Sequence, residues 1–170
     1  MLNTLVTSKT RVRLLVKFFI NVANNGHLRG LADEFNESTN AIRKELNNLS
    51  EAGYLDKVEV QNKINYQANT KHPLFGTLQN LVFHYIGLPK IIEMILGRMG
   101  VVEQIILIGD YARGMDSGII EVVVVGPQLN KDYMLQLAGK IENEIHRKVS
   151  FRFATEPVEN GLILYEAKLN

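Results

Sequence analysis

Cysteine is absent from the 170 residues. That single gap removes thiol nucleophiles, thiolate zinc sites, redox switches and disulfide staples together, and it suits a reducing cytoplasm. Apolar runs are too short or too interrupted to cross a bilayer, and the first residues lack the basic segment, apolar stretch and cleavage site of a secretory signal. A soluble, untargeted, cytoplasmic protein without a membrane partner is therefore expected. Histidine is scarce: His27, His72, His84 and His146 fall at no helical pair spacing, so no metal cluster is assigned. His-Glu-x-x-His and a nucleophile elbow are missing, and Gly109-x-x-x-x-Gly114 is not followed by the Lys-Ser/Thr of a phosphate-binding loop. No catalytic residue and no cofactor follow from these motifs.

What is there reads as an ordinary folded chain, with 46% hydrophobic and 22% charged residues. Its length suits one large domain or two small ones. Net charge is only +1, but it is unevenly spread. Residues 1–71 hold ten Lys/Arg against seven Asp/Glu, or +3, while residues 72–170 hold nine against eleven, or −2. The imbalance is small, and it points any nucleic-acid contact to the first part.

Val12, Leu15, Val16, Phe19, Val22 and Ala23 recur at helical spacing, and Asn24-Asn25-Gly26 is read as the stop. A short second helix presents Leu28, Leu31, Ala32 and Phe35 on one face. After the turn Asn36-Glu37-Ser38, Ser38 or Thr39 caps a third helix, which buries Ile42, Leu46 and Leu49. Its opposite face carries Asn40, Arg43, Lys44 and Asn47. Gly53 ends it. Tyr54 to Val60 and Ile64 to Ala68 then read as strands joined through Gln61-Asn62-Lys63, a polar turn with Lys63 at its tip. Three helices and a hairpin predict a winged helix-turn-helix.

A helix of this kind fits the major groove of double-stranded DNA, where polar side chains reach base edges. Arg43 suits guanine, and Asn40 or Asn47 suits adenine. Thr39 stands beside them at the helix start. Lys44, Lys63, Lys57 and Arg29 suit phosphates, which set affinity and register, and Arg11 and Arg13 are weaker candidates. "LADEFNESTNAIRKELNNLSEAGYL", a short hairpin and "YQANTKHPLF" resemble the winged-helix segment found fused to nucleotidyltransferase-like domains in prokaryotic regulators. The resemblance covers about the first 80 residues and implies DNA binding.

His72-Pro73 breaks the second strand. Two apolar stripes follow, Leu74, Leu78, Leu81, Val82 and Tyr85, then Leu88, Ile91, Ile92, Ile95, Leu96 and Met99, separated at Gly87. Both are expected to be buried, the second in the following domain's core or in a subunit interface. His84 is read as a packed or surface residue.

Val101 to Ile108 and Ile119 to Val125 read as central strands covered on both faces. Met134, Leu137, Ala138, Ile141 and Ile145 define an amphipathic helix, and Val149 to Ala154 and Leu162 to Tyr165 are further strands. The expectation is an α/β sandwich with a small mixed sheet. "IGDYARGMDSGIIEVVVVG" resembles the minimal nucleotidyltransferase signature, matching at Gly109, Tyr111, Ala112, Arg113, Gly114 and the run to Gly126. That resemblance implies a turn whose amides hold nucleotide phosphates and a pair of Asp that holds divalent metal. The match fails at the carboxylates. Ile119 and Glu121 stand where the paired Asp belong, Asp110 replaces the turn's Ser, and Ser150, Phe151, Arg152 and Phe153 offer no third acid. Phosphoryl transfer needs charge neutralisation by Mg²⁺ held through carboxylates. Asp116, or Asp110 with Glu121, would be the only substitute ligands.

The combined reading is an α+β chain: a winged helix-turn-helix DNA-binding domain over residues 1–71, a helical connector over 72–98, and a nucleotidyltransferase-like α/β domain without catalysis over 99–170. Its expected function is transcriptional regulation as a homodimer, the second domain serving dimerisation or the sensing of a nucleotide or other small ligand at Gly109, Asp110, Tyr111, Arg113, Gly114 and Glu121. The alternative is an active metal-dependent nucleotidyltransferase that uses the winged helix to recognise a substrate or partner.

Overall fold

The computed structural model describes residues 2–168, and the chain divides into two compact units, Met1–Tyr85 and Ile86–Asn170. The boundary falls inside the expected connector. Residues 72–98 are therefore shared between the units and do not form a separate piece. Each unit mixes helices with a small sheet, as the α+β reading requires.

The first unit contains α1 (Leu2–Leu5), α2 (Lys9–Phe19), β1 (Asn25–His27), α3 (Leu28–Phe35), α4 (Thr39–Glu51), β2 (Leu55–Val60), β3 (Lys63–Ala68) and α5 (Phe75–Ile86), the last residue of α5 belonging to the second unit. Its sheet is antiparallel in the order β1-β3-β2. Of the two expected caps for α4, Ser38 is the one: its Oγ accepts the Ala41 N–H at 3.2 Å. At the other end, Gly53 has φ +81°. The Gly53 N–H meets the Ser50 carbonyl at 3.0 Å and the Tyr54 N–H meets that of Leu49 at 2.9 Å, a left-handed closure that costs glycine little. Ile42, Leu46 and Leu49 are buried with Leu31 and Phe35 of α3 and Leu15 and Phe19 of α2. Each contributes about 1.5–3 kcal/mol of burial, so apolar packing fixes how α4 lies and leaves its polar face outward.

Three details differ from the periodicity. Helix α2 stops at Phe19, so Val22 and Ala23 lie outside it and are exposed. Asn21 and Asn24 end it through side-chain bonds: Asn21 Oδ1 accepts the Ala23 N–H at 3.1 Å, and Asn24 Nδ2 donates to the Lys17 carbonyl at 2.9 Å. Asn25 and Gly26 belong to β1, a third strand that a three-residue polar stretch does not announce. The wing turn is Gln61-Asn62 alone, both at positive φ (49° and 62°), so Lys63 opens β3 opposite Val60 and does not occupy the tip. In α5, only Val82 of the expected stripe is fully buried, and Leu74, which precedes the helix, is 46% exposed.

The second unit contains α6 (Leu88–Arg98), β4 (Gly100–Val101), β5 (Gln104–Ile108), α7 (Gly109–Ala112), β6 (Ile119–Val125), β7 (Gln128–Leu129), α8 (Met134–Ile145), β8 (Lys148–Ala154) and β9 (Leu162–Glu166). The main sheet runs β8-β6-β5-β9, with β6 and β8 parallel and the other pairs antiparallel. It is the small mixed sheet that was expected. Ile105 and Leu107 share one face with Ile120, Val122 and Val124, buried along with Leu137 and Ile141 of α8 and Ile91 and Ile95 of α6. Ile106, Val123 and Val125 fill the other face beneath Val158. Burial on both faces explains the continuous run in β6. Two expectations fail at the edges: Val101 pairs in a separate two-residue ladder, and Leu96 is exposed at the end of the second stripe.

Candidate nucleic-acid interface

In the first unit, α4, the start of α3 and the inner face of the hairpin enclose a cleft of about 580 Å³ lined by His27, Leu28, Arg29, Arg43, Asn47, Lys57, Lys63, Ile64 and Tyr66. Four of these side chains are cations and none is an acid. Arg29, Arg43, Asn47 and Lys63, chosen from widely separated stretches of sequence, are thus brought together, and Lys57 joins them. Arg43 is oriented from its own helix: its Nη1 donates to Asn40 Oδ1 at 3.0 Å. Asn40 therefore positions Arg43 from outside the cleft. Thr39 and Lys44 are exposed on α4 and do not line it.

Three further basic residues of this unit, Arg11, Arg13 and Lys17, are engaged internally, while Lys9 and Lys71 are exposed. Arg11 Nε donates to Glu45 Oε2 at 2.7 Å, and Ser8 Oγ donates to the other oxygen at 3.0 Å, leaving Glu45 only 5% exposed. Arg13 lies 3.2 Å from Glu37, donates to the Phe35 carbonyl at 2.8 Å and sits over the Phe35 ring. Lys17 meets Glu34 at 2.7 Å. These pairs tie α2 to α3, to α4 and to the turn between them, with the Arg11 and Arg13 side chains still 39% and 44% exposed. Among the described residues, Arg29, Arg43, Lys44, Lys57 and Lys63 form no ion pair. Converging cations without counter-charges create a positive potential that a polyanion relieves.

Two lining residues carried no signal in the sequence. His27 caps α3: its Nδ1 accepts the Gly30 N–H at 3.0 Å. Tyr66 faces the cleft from the central strand, between Gly26 on β1 and Lys57 on β2. Burial raises its pKa above the ordinary 10.0, while the Arg43 charge pulls the other way. Once the three-stranded register is known, both positions follow. Without β1 neither does.

The second unit treats its candidate residues differently. Gly109 has φ +70°, and a Cβ there would lie 1.9 Å from Glu121 Oε2, so the Glu121 carboxylate packs directly on the turn. Asp110 is engaged by Arg113 at 2.6 Å. Tyr111 is fully buried: its hydroxyl donates to Asp116 and accepts the Gly118 N–H at 3.0 Å. Desolvation first, then the hydrogen bond and charge of Asp116, push its pKa strongly upward. Asp116 is also gripped by Arg147, whose Nε and Nη2 donate at 3.1 and 2.9 Å. Gly114 is buried as well. Of the six residues expected to meet a nucleotide, Tyr111 and Gly114 therefore face inward, Asp110 and Arg113 hold each other, and Glu121 occupies the space over Gly109. Ile119, at the other position where an Asp is expected, is 49% exposed. Among the described residues no three His, Asp or Glu side chains gather as metal ligands, and no helix is long and apolar enough to cross a membrane.

No family model matches this chain, and no curated protein does. Among solved structures, the crystal structure of the AntR antimony-specific transcriptional repressor aligns at 20% identity, covering 52% of this chain and 77% of that one, with a TM-score of 0.39. A likeness at that level carries no weight for fold or function.

Proposed function

We propose that this chain is a transcriptional regulator whose first unit is a winged helix-turn-helix that binds double-stranded DNA, α4 entering the major groove and β2–β3 forming the wing. The observation that carries the reading is the acid-free cleft into which Arg29, Arg43, Lys57 and Lys63 converge. Arg43, steadied by Asn40, reaches a base edge. The lysines and Arg29 meet phosphates, which fix register without reading sequence. Two copies presenting α4 to half-sites about one helical turn apart would form the working homodimer, inside a reducing cytoplasm that the lack of cysteine suits.

The second unit is read as a nucleotidyltransferase-like fold without turnover, kept for pairing or ligand sensing. Support comes from Glu121 packed on Gly109, which sets a carboxylate where a phosphate would approach, and from the mutual engagement of Asp110 and Arg113. Fluorescence anisotropy with duplex DNA tests the first half of the proposal. Salt-sensitive binding is expected, with a loss of at least about tenfold in Arg43→Ala/Lys44→Ala. Absence of binding at low ionic strength refutes it. Nucleotide transfer with Mg²⁺ or Mn²⁺ tests the second half: transfer that disappears in Glu121→Ala would make the chain an enzyme.

A further inference from the structure

We propose that Tyr66 is a DNA-contacting residue whose phenolic O–H donates a hydrogen bond to a backbone phosphate seated in the cleft. This rests on the DNA-binding reading above. Tyr66 is 7% exposed and lines the cleft. Among the described residues its hydroxyl forms no hydrogen bond, and the buried side-chain atoms left without a partner are Ser50 Oγ and Gln104 Oε1, so the Tyr66 hydroxyl is open to the cleft that the residue lines. A hydroxyl open to the cleft and unengaged within the protein can donate to a group seated there.

The surroundings select an anion. Lys57 stands directly opposite Tyr66 on the neighbouring strand, and Arg43 lies within electrostatic reach of the phenol. A phenol of ordinary pKa 10.0, raised further here by burial, is a neutral donor at neutral pH beside fixed cations. Its mounting matters too. Paired on both sides in the centre of the sheet, Tyr66 cannot follow one sequence or another as a flexible lysine can. A single hydroxyl also lacks the two-bond pattern that distinguishes bases. A rigid, single, neutral donor among cations sets register on the phosphate backbone.

Tyr66→Phe is the test, because it removes only an oxygen that has no internal partner. Binding to a fluorescein-labelled mixed-sequence duplex is measured by anisotropy across a salt series, with melting curves for each protein. The expected result is affinity about tenfold weaker than wild type, an unchanged melting temperature, and an unchanged slope of log K against log salt, since no charge is lost. Lys57→Ala, run alongside, flattens that slope by about one. Tyr66→Phe binding within twofold of wild type while Lys57→Ala weakens binding overturns the Tyr66 assignment and leaves the cleft standing. A lowered melting temperature with unchanged affinity, or a changed salt slope in Tyr66→Phe, overturns it as well. Wild type that ignores duplex altogether defeats the DNA-binding reading itself.

Discussion

The cleft of the first unit and the Gly109–Glu121 turn of the second are each built from charged side chains, yet they solve opposite problems. In the cleft, Arg29, Arg43, Lys57 and Lys63 gather without an acid. In the turn, Asp110 meets Arg113 and Asp116 meets Arg147 and the Tyr111 hydroxyl. Net charge separates the two regions poorly, because among the described residues the first part of the chain also holds ion pairs that engage Arg11, Arg13 and Lys17. What distinguishes a surface waiting for a polyanion from a closed structural loop is which charges lack counter-charges. Removing a paired charge should damage folding, and removing an unpaired one should damage binding.

Arg147→Ala should have the largest effect on stability. Arg147 is mostly buried, and its loss leaves the Asp116 carboxylate half-sheltered without its cation. Breaking a buried pair costs about 3–5 kcal/mol. The partial exposure of Asp116 reduces this to about 2 kcal/mol, read as a lower melting temperature. Binding to duplex should be unchanged. A variant that melts like wild type would mean that Asp116 is as comfortable in water, and the contrast between the two regions would lose one side.

The same loop predicts an alkaline limb. Tyr111 ionises near 10.0 when unfolded and well above that when folded. Its raised pKa therefore contributes stability that is complete below pH 10 and lost as pH rises towards the folded value, by about 1.4 kcal/mol one unit above 10. Tyr66 shifts in the same direction and Tyr133 in the opposite one, so the useful measurement is the difference between wild type and Tyr111→Phe in denaturant melts across that range. The variant should lose less stability per pH unit. Parallel curves would show that the phenol is not sheltered.

These effects also mark what sequence could disclose. The apolar periodicity of α4 was legible because Ile42, Leu46 and Leu49 must be buried together, and the outward face that carries Arg43 and Asn47 follows from it. The Val run of β6 was legible for the same reason. Illegible were the contacts between residues far apart in the chain. Nothing local to Arg11 announces Glu45, thirty-four residues away, and nothing near Asp116 announces Arg147. Read alone, Asp116 was a conceivable metal ligand and Tyr111 a conceivable nucleotide contact. The three-residue strand β1 was too short and polar to be seen, and with it went the roles of His27 and Tyr66.

Lys63→Ala should have the smallest effect on stability and so gives the sharpest form of the comparison. Lys63 is exposed, opens β3 opposite Val60, and has no acidic partner among the described residues. Substitutions at such positions stay within about 0.5 kcal/mol of wild type. Its cost should appear only in binding, as a salt slope reduced by about one with the loss spread evenly over duplexes of different sequence. A melting temperature that falls as far as that of Arg147→Ala would place Lys63 in a structural pair. Loss restricted to one duplex sequence would make it a reader of bases. Either outcome erases the distinction between unpaired cations that wait for phosphate and paired ones that hold the fold.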